Sequence, residues 1–304
     1  MQKKWLVMAA GVGIGALLLV QSGLSVKASG SGYEAYKSAV KNMHSIASVT
    51  ADVSVSVADN GTNVLNIESS VKASRQQEAA SADVRVNAGT EDIAISTYRE
   101  KDKTIVKTGD SDLYRVIEDD GKERKHRDRG DKPFAESDME HVLDALMGQL
   151  RNQVTMEASR DGGKLVSLHL DGSQIPAAVN AIGALMLKHA GGSHPGDFGP
   201  WHNQPESAEA SPDFRVDLPK LTDAIQVQSI HLDAVIDKDN YIERQTATVV
   251  VTGKDAGGAE HEIAVTLNAG LSALNRTVPD TVDLNGKNVE TIKPELAKHS
   301  WRRS

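Results

Sequence analysis

Strict alternation of apolar and polar residues, repeated in segment after segment, constrains this chain more than any other feature. Ala51, Val53, Val55 and Val57 alternate with Asp52, Ser54 and Ser56, and Asn60-Gly61 follows as a two-residue hairpin turn. The return strand carries Leu65, Ile67, Ser69, Val71 and Ala73 at the same spacing. Ala80, Ala82, Val84 and Val86 come next, then the turn Ala88-Gly89-Thr90, then Ile93, Ile95 and Thr97. Shorter strands at residues 104–107 and 113–118 flank Thr108-Gly109-Asp110. Turn signals at short intervals, with no helix between them, predict an antiparallel meander with one buried and one wetted face.

A second set of strands lies further along. Val154, Met156 and Ala158 pair through Arg160-Asp161-Gly162-Gly163 with Val166, Leu168 and Leu170. Ile230, Leu232, Ala234 and Ile236 lead into the turn Asp237-Lys238-Asp239-Asn240. Residues 241–252 form the next strand, 253–258 the next turn, and Ile263, Val265 and Leu267 the buried face of the last.

Three helices punctuate this pattern. Ser31-Gly32-Tyr33-Glu34 is a capping box opening the first, whose stripe is Tyr33, Tyr36, Val40, Met43 and Ile46. Ser137-Asp138-Met139-Glu140 opens the second, with Met139, Val142, Leu143, Leu146, Met147 and Leu150 at i, i+3, i+4 spacing. Pro176 starts the third, with Val179, Ile182, Leu185 and Met186 on one side and Gly191-Gly192 after it.

About ten strands with one apolar face must close or be covered, and these helices are the available cover. The expected fold class is therefore α+β: a strongly curved antiparallel sheet, a half-barrel of about ten strands, wrapped around two or three helices. It occupies residues 29–292 as a single domain with flexible loops at 119–134 and 191–219 and a tail at 293–304. An apolar gap between sheet and helices is where a greasy ligand binds. Met139, Leu143, Leu146, Met147, Leu150, Ile182, Leu185 and Met186 either line such a gap or pack as ordinary core.

Residues 1–28 read as an export signal. Lys3 and Lys4 precede an apolar run over 6–20, and Val26-Lys27-Ala28 supplies small residues at the −3 and −1 positions of a cleavage site. The competing reading is an uncleaved anchor, for which the run is short. Their removal takes away three lysines and no acid, moving the net charge from −8 to −11. The expected location is extracytoplasmic, secreted or associated with the cell envelope. An acidic chain does not suit nucleic acid, and the absence of cysteine excludes disulfides, thiolate chemistry and a lipidated cysteine.

No motif points to catalysis. Ser38-Ala39-Val40-Lys41 and Ser69-Ser70-Val71-Lys72 both spell S-x-x-K, and Lys107-Thr108-Gly109 spells K-T-G, but the S-x-N element that belongs between them is missing. His189, His194, Asp197 and His202 share a Gly/Pro-rich segment without the spacing of a zinc signature. Asp237-Lys238-Asp239-Asn240 begins like a calcium loop, but Ile242 stands where glycine is required. The segment Lys122 to Lys132 interleaves six bases with three acids and reads as a solvated loop. Trp301 among three bases near the C-terminus is a candidate membrane-surface contact or a frayed tail. No catalytic residue, metal or cofactor is expected. Carboxylate pairs leave no local spacing and stay open on sequence grounds.

In layout the chain resembles the lipoprotein-carrier-like half-barrel family, which includes the LolA and LppX types, and within it secreted members from spore-forming Gram-positive bacteria. The resemblance is carried by Gly32-Tyr33-Glu34-Ala35-Tyr36, by residues 50–57 with Asn60-Gly61, by Asp237-Lys238-Asp239-Asn240-Tyr241-Ile242 and by Asn275-Arg276-Thr277-Val278-Pro279. It implies a non-enzymatic protein with an apolar cavity for a lipid or acyl chain. The alternative is an envelope- or spore-associated interaction or sensor protein with a closed core.

Overall fold

The alternating segments form strands, and the turns between them fix the order in which those strands pair. The structure, a computed structural model, describes residues 32–109, 111–118, 150–177, 179–180 and 219–292. Helix α1 (Gly32–Met43) precedes the first meander: β1 (Ser48–Asp59), β2 (Thr62–Ser74), β3 (Ala79–Ala88), β4 (Glu91–Arg99), β5 (Lys103–Thr108) and β6 (Leu113–Glu118). The second set is β7 (Val154–Ala158), β8 (Lys164–Asp171), β9 (Asp223–Ile236), β10 (Ile242–Lys254) and β11 (Glu260–Ser272), followed by β12 (Asn288–Ile292). Asn60 and Gly61 both have positive φ, 47° and 79°, as the tight β1–β2 turn requires.

All twelve strands belong to one sheet in the order β12-β6-β5-β4-β3-β2-β1-β11-β10-β9-β8-β7. Every pairing is antiparallel except β12 with β6. That exception follows from the connection after β11, which crosses the sheet as a strap and lays β12 on the far edge. The strap is pinned as it goes. Asn275 Oδ1 accepts from Ala47 N at 2.7 Å, Thr277 N donates to Ser48 Oγ at 3.0 Å, and Asp280 N donates to Ser81 Oγ at 2.9 Å. Asp280 also holds Lys72 Nζ at 2.9 Å, and Lys287 lies 6.0 Å over the Tyr114 ring.

The strap occupies one face, called outer here, and α1 packs on the other, the inner face. Tyr36, Ala39 and Val40 of α1 meet Ala51, Val53, Val166, Ala234, Ile236 and Ile242, of which Ala39, Val166, Ala234, Ile236 and Ile242 are fully buried. The helix can sit this close because Gly32 lacks a side chain; a Cβ there would collide with the Thr155 carbonyl. Arg151 fastens the start of the helix, pairing with Glu34 at 2.6 Å and lying 5.0 Å over the Tyr33 ring. Asn42 and Ser38 dock its other end on the β9–β10 turn, through Asp239 O and Asn240.

This architecture overturns the expected half-barrel of about ten strands wrapped around two or three helices. Among the described residues twelve strands form one open sheet whose outermost strands are β7 and β12, and a single α-helix lies on it. The physical reason is that α1 packs mainly on β7–β10, joined by Ala51 and Val53 of β1, and the strap extends the sheet at its edge instead of closing it. Of the third predicted helix only a first turn is described, with Val179 N and Asn180 N bonded to Pro176 O. The second predicted helix, except Leu150, lies outside the described residues, as do residues 1–28, the loop at 119–134, nearly all of 191–219 and the tail. Among the described residues no helix is long and apolar enough to cross a membrane.

Candidate functional site

Cross-strand register turns the alternation into continuous rows. One inner-face row runs Val154, Leu168, Leu232, Ala247, Leu267, Val55, Ile67, Val86 and Ile93, one residue from each of nine neighbouring strands. All nine are apolar, and nine strands span about 38 Å at the usual spacing. The row is not uniformly buried. Leu168 and Leu267 are buried, whereas Leu232, Ala247, Val55, Ile67, Val86 and Ile93 keep part of their surface exposed. In the adjoining row Val265 is 38% exposed, between Val249 and Val57. A half-covered aliphatic strip on the inner face, beside the close-packed footprint of α1, is the candidate site.

Leu150 is the one predicted cavity residue that the structure describes. It is 6% exposed and packs with Leu168, Leu170, Ile175 and Leu221 on this same face. Met139, Leu143, Leu146, Met147, Ile182, Leu185 and Met186 lie outside the described residues, as do His189, His194, Asp197, His202 and Trp301. Sequence reasoning looked for the site on the helices and missed the strand row. Its signal was present in the phase of the alternation, but alternation within a strand does not reveal which residues stand opposite one another.

A fully buried polar side chain interrupts the inner face beneath α1. Gln245 is in phase with Ala247, Val249 and Val251 and is fully buried, and its Oε1 accepts the Tyr36 hydroxyl at 2.9 Å. Burial pushes the Tyr36 phenol up to about 12, against the opposing effect of the Gln245 hydrogen bond. Small residues surround the pair: Gln245 stands between Ala234 and Ala269 in the sheet.

The serine–lysine motifs do not form a reactive pair. Ser69 and Lys72 are three positions apart on β2 and so face opposite sides of the sheet. Lys72 is held by Asp280, whose hydrogen bond raises the ammonium's pKa and keeps it protonated, which unfits it as a base. Ser38 accepts a hydrogen bond from Asn240 at 3.0 Å and serves the docking of α1. Among the described residues no three His, Asp or Glu side chains converge as metal ligands.

Elsewhere, His261 is clamped between strand ends. Its Nδ1 lies 2.9 Å from Asp59 Oδ2, and its Nε2 lies 3.7 Å from Asp255 Oδ2, with the ring side chain only 15% exposed. The hydrogen bond to Asp59 raises its pKa above the usual 6.5, outweighing desolvation. The folded state thus holds this proton more tightly than the unfolded chain. The resulting stabilisation is complete below pH 6.5 and is lost as pH rises through the elevated value. Urea-unfolding midpoints should therefore fall between pH 6 and pH 9. Asp59→Asn should flatten that slope, and an unchanged slope would show that the clamp contributes nothing.

No protein-family model matches the chain, and no curated protein sequence matches it. Neither comparison bears on the half-barrel resemblance.

Proposed function

We propose that this chain is an exported, non-enzymatic binding protein that holds a lipid or similar apolar ligand against the inner face of its sheet. The observation that carries the reading is the aliphatic row through Val55, Ile67, Val86 and Ile93, which retains exposed surface beside the close-packed footprint of α1. Covering such a strip with an acyl chain contributes about 0.8 kcal/mol per buried methylene. No charged side chain interrupts the row, so a hydrocarbon chain laid across these strands meets only carbon.

The test is native mass spectrometry of the protein purified from the exported fraction of a Gram-positive host, followed by organic extraction. The expected result is one lipid per chain, lost on Ile67→Asn and retained on Ser54→Asn, an outer-face change. A bare mass that takes up nothing from phosphatidylglycerol vesicles would sink the carrier reading and favour the closed-core interaction protein.

A further inference from the structure

The outer face carries a second concavity, unrelated in chemistry to the inner row. Register places Arg244, Gly270, Asp52, Ser70, Asp83 and Ser96 in one line across β10, β11, β1, β2, β3 and β4. Asn268, Ser54, Glu68, Arg85 and Ala94 form the next line. Together they bound an open groove of about 700 Å³. It crosses six strands and is therefore about 24 Å long.

Three properties of this groove point to its occupant. Its carboxylates are pre-set, with Asp52 and Glu68 in the middle and Asp83 on the strand of Arg85: Asp52 Oδ1 accepts from Ser70 Oγ at 2.7 Å, and Asp83 Oδ1 accepts from Ser96 Oγ at 2.6 Å, so each of these two is fixed in place with its second oxygen free of Ser70 or Ser96. Two guanidiniums, Arg244 and Arg85, lie towards opposite ends, four strand spacings or about 19 Å apart. Both are exposed, and neither is in an ion pair among the described residues, although Glu68 stands directly opposite Arg85. The floor is built of small groups, Gly270, Ser70 and Ala94, with no aromatic ring in the lining.

We propose that this groove is a binding site for an extended, mixed-charge peptide segment of a partner protein, with basic side chains over Asp52 and Glu68 and acidic ones at Arg244 and Arg85. Charge complementarity selects this class. A polyanion would be repelled by the Asp52, Glu68 and Asp83 carboxylates, and a polycation by the arginines towards the two ends. A glycan would find no aromatic face to stack on. At about 3.4 Å per residue, an extended segment of seven residues fills the length. The segment runs across the strands, so its backbone meets Ser54, Ser70 and Asn268 side chains and not a strand edge.

The experiment uses the full chain and two fluorescent heptapeptides with blocked ends, Glu-Ser-Lys-Ser-Lys-Ser-Glu and its charge-reversed counterpart Lys-Ser-Glu-Ser-Glu-Ser-Lys, read by anisotropy at low salt. The matched peptide is expected to bind at least tenfold more tightly than the reversed one. Arg244→Gln and Arg85→Gln are each expected to weaken it about fivefold, with melting temperature and lipid content unchanged, because neither side chain has a partner to lose. Equal affinity for the two peptides, no binding of either, or tighter binding of polyglutamate or of an anionic polysaccharide would overturn the proposal. Lipid content is read on the same samples, so failure here leaves the inner-face reading standing or falling by itself.

Discussion

Ile236→Ala is expected to cost about 2–5 kcal/mol of unfolding free energy, the range for emptying a fully packed aliphatic site. Ile236 has no exposed surface, pairs across the ladder with Ile242, and belongs to the cluster beneath Tyr36, Ala39 and Val40. Its neighbours are strand residues on one side and the helix on the other, so little can collapse into the space. Urea unfolding should show a lower midpoint with the m-value unchanged. A loss under about 1 kcal/mol would mean that the ground between α1 and the sheet is already loose, contrary to the packing. Ile67→Ala, on the half-exposed part of the same face, is expected to lose distinctly less, and the contrast separates packed core from open strip.

The second large effect concerns the buried pair. Gln245→Leu leaves the Tyr36 hydroxyl without its acceptor, and Tyr36→Phe leaves the Gln245 amide alone in an apolar setting. Each single change is expected to cost about 1–3 kcal/mol, the desolvation penalty of an unsatisfied buried group. The double variant removes both polar partners and should recover much of that loss, giving a coupling of about 1–2 kcal/mol in a double-mutant cycle. Additive losses would show that the hydrogen bond is not what holds the pair. Alkali supplies an independent readout. The phenol is raised from 10.0 to about 12, so its contribution is whole below pH 10 and is lost as pH climbs through 12. Tyr36→Phe should abolish that decline.

Much of the sheet was legible because alternation is a local property. Eleven of the twelve strands coincide with segments read as strands from the sequence, most of them by apolar residues that recur every second position, and Asn60-Gly61 announced its turn through the two backbone conformations that it adopts. Strand β12 escaped because Asn288–Ile292 is short and mostly exposed, so only its partner β6 makes it a strand. Ile105 and Val106 show a second limit. They are adjacent, face opposite sides and are both buried, which erases alternation in β5. The sites were less legible than the strands. Arg244, Asp52 and Asp83 are ordinary wet-face residues until register lines them up across β10, β1 and β3. Gln245 also went unread, although a polar residue in the phase of Ala247, Val249 and Val251 on β10 leaves a local signal.

The place of β1 has a consequence for how the chain reaches this state. It lies between β2, its immediate successor, and β11, with which it closes contacts such as Asn60 to Glu262, 202 positions apart. Closing so large a loop is entropically costly and slows folding. The first meander therefore waits with a bare edge at β1 until the last quarter of the polypeptide has been delivered, and the strap that pins Lys72 and Ser81 arrives later still. Such a chain is slow to fold during synthesis, a property that would serve the export proposed above.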